Sequence, residues 1–109
     1  MAVESIDRER FPELLQEESG PVAVDLWMED CPPCNMMEPK LERVSEEYTG
    51  VVSTYRVQVD EDDPLLGEYD VEATPTIPLF RDGDAVGRAE GLIRANELRA
   101  AFADLVDPS

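Results

Sequence analysis

The chain has 109 residues, enough for one hydrophobic core and too few for two. Its 26 acids stand against nine bases, a net charge of −17, and lysine occurs once, at Lys40. A field of that sign repels nucleic acid and anionic lipid, so neither is expected as a partner, and no stretch approaches the roughly 20 apolar residues of a membrane helix.

In chain order, Met1-Ala2-Val3-Glu4-Ser5 lacks a basic region and an apolar segment, so no leader is expected and the protein is placed in the cytoplasm. Ser5-Ile6-Asp7 leads to a short helix over residues 11–18, with Pro12 suited to its first position; Ser19-Gly20-Pro21 ends it. Val22-Ala23-Val24-Asp25-Leu26-Trp27 is an apolar, β-branched strand pattern interrupted by one acid. Beyond it, Met37, Leu41, Val44 and Tyr48 fall on one face of a helix from about Pro33 to Tyr48. Pro39 inside that helix cannot donate its N–H and is expected to kink it; Gly50 is its expected C-terminal cap.

Residues 51–60 read as a strand, broken by the acid run Asp60-Glu61-Asp62-Asp63, and Pro64 then opens a short helix through Leu65, Leu66 and Tyr69. The acid run lacks the spacing and glycine of a calcium loop and reads as a solvated loop and N-cap. Ala73-Thr74-Pro75-Thr76 precedes a strand, Ile77 to Phe80; Asp82-Gly83 is a hairpin turn, and the chain returns through Ala85 to Gly91. The last helix spans Arg94 to Val106, with Ala95, Leu98, Phe102 and Leu105 on one face and Asp107-Pro108 ending it. The expected order is helix, strand, helix, strand, helix, strand, strand, helix: an α/β fold with a central mixed β-sheet flanked by helices on both faces, one domain over residues 1–109.

The only cysteines, Cys31 and Cys34, stand where the strand Val22–Trp27 gives way to the long helix. A helix N-terminus offers unpaired N–H groups and a positive dipole end to a thiolate, the attacking species in thiol chemistry. Cys31 is therefore the candidate nucleophile. Two intervening residues return Cys34 to the same turn, so it can attack a mixed disulfide formed on Cys31 and release the reduced partner. A zinc clip needs four ligands, and two cysteines without histidine do not supply them. In a reducing compartment such a pair reads as a catalytic dithiol rather than a staple.

These landmarks together resemble the thioredoxin family over nearly the whole chain: Val24-Asp25-Leu26-Trp27 before Cys31-x-x-Cys34, Pro39 five residues later, Val59-Asp60 and Pro64, Thr74-Pro75-Thr76, then Phe80-Arg81-Asp82-Gly83 and Gly91. The resemblance implies the thioredoxin fold and a thiol-disulfide oxidoreductase that reduces protein disulfides, with Cys31 attacking, Cys34 resolving, and no cofactor beyond the redox-active cysteine pair. It implies a buried Asp25 that handles the Cys34 proton, with Arg56 near it, and a cis Thr74-Pro75 bond that leaves the Thr74 backbone free for an extended substrate. Trp27, Asp30, Pro32, Pro33, Thr74, Pro75 and Gly91 are the implied substrate-binding residues. Disulfide-containing client proteins and a thioredoxin-reductase-like donor are the implied partners, and a monomer is expected.

Departures from the family pattern bear on tuning. Pro32-Pro33 replaces Gly-Pro, so a Cys31 thiolate depends on the Cys34 N–H and on side-chain or thiol donors; Asp30 replaces tryptophan and opposes thiolate formation at close range. Asn35 and Arg56 stand at positions that are commonly lysine, and Pro78 inside a strand must leave one ladder bond unmade. With Asp30 and Glu90 beside Val59, Ala73 and Thr74, the docking surface is expected to take a narrower or differently charged clientele. Two other functions fit the same fold: a module that holds a client without turnover, and a glutaredoxin-like, glutathione-dependent reductase suggested by the proline directly after Cys31.

The acid excess with almost no lysine resembles proteins of salt-loving archaea. Many carboxylates lie within about 10 Å of one another, the screening length near 0.1 M salt, and at molar salt that length falls to about 3 Å. The thermal unfolding midpoint is predicted to rise from low salt to molar potassium chloride with activity retained; a flat midpoint with activity lost would refute this.

Overall fold

The computed structural model describes residues 2–107. Nine elements follow in order: β1 (Val3–Ile6), α1 (Arg10–Glu17), β2 (Pro21–Trp27), α2 (Pro32–Glu47), β3 (Ser53–Gln58), α3 (Pro64–Glu68), β4 (Thr76–Arg81), β5 (Asp84–Glu90) and α4 (Ala95–Val106). The strands form one mixed sheet in the order β1-β3-β2-β4-β5, with β1 and β2 parallel to β3, and β4 antiparallel to both β2 and β5.

Strand alternation distributes the core between two faces. Val22, Val24 and Leu26 of β2 meet Phe11 and Leu14 of α1 and Leu65 of α3, joined by Val57 and Phe80. Ala23 meets Met37, Leu41 and Val44 of α2 and Leu98, Phe102 and Leu105 of α4. Asp25 shares the parity of Ala23, so it points toward the face covered by α2.

Several expectations need correction. The strand β1 was not expected: Val3-Glu4-Ser5-Ile6 has no alternation to read, and its place at the sheet edge is secured by Glu42 of α2, which accepts from the N–H of Ala2 at 2.6 Å and of Val3 at 3.3 Å. Pro12 is the third residue of α1, not the first, a position whose N–H would still lack an intrahelical acceptor. β3 begins at Ser53 because Val51 and Val52 complete the turn after α2. In the acid run, Asp60, Glu61 and Asp62 are exposed and Asp63 is the expected N-cap of α3, accepting from the Leu65 N–H at 3.0 Å, but it is buried rather than solvated and pairs with Arg8 at 2.9 Å. Met1, and Pro108, which was expected to help end α4, lie outside the described residues.

The hairpin turn places Asp82 and Gly83 at φ 52° and 85°, the left-handed pair that suits an Asp-Gly turn. α2 runs unbroken across Pro39. Pairing of β2 with β4 steps from Ala23↔Leu79 to Leu26↔Thr76, so the ladder is interrupted at the level of Pro78, which has no N–H to give.

Phe102 is fully buried and meets Tyr48 edge-on with ring centroids 5.6 Å apart, tying α4 to the end of α2. Phe102→Ala is predicted to cost about 3–5 kcal/mol by lost transfer energy and cavity formation. Urea unfolding checks this, and a loss below about 1 kcal/mol would mean the site collapses around the truncation.

Candidate functional site

The site forms where β2 ends and α2 begins. After Trp27 the chain turns through Met28, Glu29 and Asp30, the last at φ 55°, a left-handed conformation that aspartate tolerates better than most residues. Cys31 is the N-cap of α2, with φ −118° and ψ 95°, and its carbonyl accepts the helical bond from the Asn35 N–H at 3.1 Å. Among the first three helical residues, Pro32, Pro33 and Cys34, only Cys34 carries an N–H. That N–H donates to Cys31 Sγ at 3.2 Å.

Cys31 and Cys34 are joined as a disulfide with Cα atoms 5.2 Å apart. Cys31 is partly exposed, whereas Cys34 has no accessible surface. An attacking partner can therefore reach the first sulfur and not the second. Opposite them the Thr74–Pro75 bond is cis, and Thr74 lies against Cys31: Sγ is 3.6 Å from the Thr74 carbonyl oxygen and 3.5 Å from its Oγ1. Thr76 Oγ1 donates to the Ala73 carbonyl at 2.6 Å, and the Gly91 N–H donates to the Pro75 carbonyl at 2.8 Å, which fixes this loop from both sides. An open groove of about 460 Å³ is lined by Thr74, Met28, Leu66, Val71, Glu61 and Glu72.

Beneath the helix, Asp25 is fully buried. Register places Arg56 of β3 directly opposite it, and Arg56 Nε lies 3.4 Å from Asp25 Oδ2, while Oδ1 has no hydrogen-bond partner. Burial raises the Asp25 carboxyl to about 6, against the opposing pull of the Arg56 charge. The same guanidinium lies 4.3 Å from the centre of the Trp27 ring and 3.5 Å from Glu38 of α2.

The fold thus brings Cys31, Cys34, Thr74, Pro75 and Gly91 together at one end of the sheet, with Asp30, Pro32 and Pro33 exposed around the sulfurs. Trp27 lies apart from the groove beside Thr74, lining a separate cleft of about 390 Å³ with Arg8, Arg56 and Gln58. Glu38 was missed by sequence reasoning, although it stands one turn after Cys34 and therefore on the same side of α2. No group of three or more histidine, cysteine or acidic residues among the described residues is arranged to hold a metal. No helix among them is long and apolar enough to cross a membrane.

Comparison with known proteins agrees with this geometry. The thioredoxin family model matches residues 2–104. Thioredoxin of Pseudomonas aeruginosa is 35% identical over 94 residues, 86% of each chain, and thioredoxin of Rickettsia felis is 35% identical over 88 residues, 81% of this chain and 84% of its own. Thioredoxin Y2, chloroplastic, of Arabidopsis thaliana is 38% identical over 88 residues, 81% of this chain; the match spans about half, 53%, of that longer protein. The chain belongs to the thioredoxin family of thiol-disulfide oxidoreductases. Membership implies disulfide-containing substrates and a reductase that supplies electrons.

The raised Asp25 carboxyl has a stability consequence. The unfolded chain releases this proton near 3.8 and the folded chain near 6, so folding binds the proton and stability falls as pH rises between those values. The deficit is fully present above about pH 6. Asp25→Asn is predicted to stabilise the protein at pH 7 by about 1–3 kcal/mol and to leave it nearly unchanged at pH 3.5. Urea midpoints at the two pH values test this, and equal shifts at both would contradict it.

Proposed function

We propose that this protein reduces disulfides in client proteins through the Cys31/Cys34 couple, and that residues 1–109 act as one catalytic domain. The Cys31 thiolate attacks one sulfur of a client disulfide, forming a Cys31–client bond and expelling the other client sulfur as a thiolate, which takes up a proton. Cys34 gives its proton to Asp25, and the resulting thiolate attacks Cys31 Sγ. The electron pair of the Cys31–client bond leaves with the second client sulfur. The products are a client dithiol and the Cys31–Cys34 disulfide; two electrons have passed from protein to client. The couple itself carries the electrons, so no cofactor is required.

The observation that carries this reading is the unequal exposure of the two sulfurs at the start of α2, with the exposed one accepting the first turn's free N–H. Asp25 suits the role of base because a carboxyl titrating near 6 can both accept and return a proton close to neutrality. Thr74, Pro75 and Gly91 bind the extended client segment, Asp30, Pro32 and Pro33 border the attacked sulfur, and Trp27 stands on the flank. A thioredoxin-reductase-like flow of electrons restores the dithiol, and the protein works as a cytoplasmic monomer. Unpaired acids at the rim favour clients that are not themselves acidic.

Insulin reduction with dithiothreitol is predicted to stop on Cys31→Ser. Cys34→Ser is predicted instead to trap a mixed disulfide on Cys31, visible by mass as one client chain per protein. Retention of full turnover by both variants would overturn the dithiol mechanism.

A further inference from the structure

The Arg56 side chain is 11% exposed and lies between two carboxylates at nearly equal distances, Asp25 Oδ2 at 3.4 Å and Glu38 Oε1 at 3.5 Å. Neither contact is a short ion pair, and the guanidinium is confined by the Trp27 ring 4.3 Å away. Arginine can engage both acids at once because its donors are spread across a planar fork; a lysine ammonium would act as one compact charge. Asp25 and Arg56 sit opposite one another on β2 and β3, while Glu38 approaches from α2, one turn beyond Cys34.

We propose that Glu38 is a positioning residue: by sharing the Arg56 guanidinium, it sets how much of that charge reaches the buried carboxylate of Asp25. The inference rests on the proposed role of Asp25 only for its effect on turnover; the linkage among the three side chains stands without it. Among the described residues, the charged groups that act on Asp25 are Arg56 from β3 and Glu38 from α2, with Cys34 the cysteine buried on that helix.

Signs follow from the arrangement. Glu38, 47% exposed, places a negative charge near Asp25 and draws Arg56 outward, and both effects favour the protonated acid. With Glu38 neutral, Arg56 acts on Asp25 alone and the carboxyl ionises at lower pH. Because Glu38 is at the surface, salt screens its charge more than it screens the buried pair.

Carbon-13 NMR of the Asp25 carboxyl, followed through pH in the full-length disulfide form where neither cysteine titrates, reads the linkage directly. Glu38→Gln is expected to lower the Asp25 midpoint by about 0.5–1 pH unit, and Glu38→Asp, which keeps the charge, to recover part of that shift. Molar potassium chloride is expected to move the wild-type midpoint toward that of Glu38→Gln while leaving the variant's nearly in place. Glu46→Gln, which removes an exposed acid elsewhere on α2, serves as the control for net charge. An unchanged midpoint in Glu38→Gln, or an equal shift in Glu46→Gln, would overturn the proposal. In the reduced enzyme, the pH midpoint for decay of the mixed disulfide is expected to fall with the carboxyl midpoint. If the carboxyl moves and that rate profile does not, the linkage is upheld and the role of Asp25 as base is what fails.

Discussion

The register of β2 against β3 is the constraint on which the site depends. It places Asp25 opposite Arg56, on the face covered by α2, while Val24 and Leu26 enter the core on the other face. A one-residue slip would turn those apolar side chains toward α2 and drive the carboxylate into the cluster around Phe11 and Phe80. Burying a charge is costly unless it is paired, and the pair exists only in this register. The apolar alternation of β2 and the ionic match with β3 therefore enforce the same alignment.

The start of α2 is governed by a scarcity of donors. Two prolines after the N-cap leave Cys34 as the sole N–H donor among the first three helical positions, and that donor faces Cys31 Sγ. Pro32 and Pro33 also suit the backbone angles of a first turn, so the sequence that removes donors also makes the turn stiff. A thiolate at Cys31 is held by one defined bond, the helix dipole and the Thr74 side chain 3.5 Å away.

Much of this was readable beforehand where the information is local. Periodicity located α2 and α4, Asp-Gly located the hairpin, and the strand-to-helix change located the cysteine pair at the start of α2. What was not readable comes from contacts distant in sequence. β1 exists because β3 offers an unpaired edge and Glu42 binds its first N–H groups, and a four-residue segment with two apolar side chains does not announce either fact. The acid run was legible as a solvated loop and N-cap, but not the burial of Asp63, which comes with Arg8, 55 positions earlier. Glu38 carries no sequence signal of its own, and only the meeting of α2 with β3 gives it Arg56. Pro78 is the opposite case: its missing N–H predicted an interrupted ladder, and pairing with β2 lapses at its level.

The scarce cations are distributed in a way that shapes the reactive face. Arg8 pairs with Asp63, Arg56 with Asp25 and Glu38, and Arg99 with Glu47, each joining separate elements, while Arg10 pairs with Glu13 and Glu17 within α1. Among the described residues, Glu29, Asp30, Glu61 and Glu72 near Cys31 form no ion pair, and Glu90 has only an exposed contact with Arg88 at 3.4 Å. Exposed pairs of this kind contribute at most about 1 kcal/mol, so they do not by themselves hold the fold together. Their larger consequence is electrostatic: these arginines are engaged with other acids, and Glu29, Asp30, Glu61 and Glu72 keep unpaired charge. A partner must approach through that field, which governs encounter rate more than the strength of the final complex. The buried acid below the helix is treated differently, since Arg56 meets it inside the protein where salt screens poorly. One chain thus keeps a salt-sensitive surface for meeting partners above a less salt-sensitive pair beneath its cysteines.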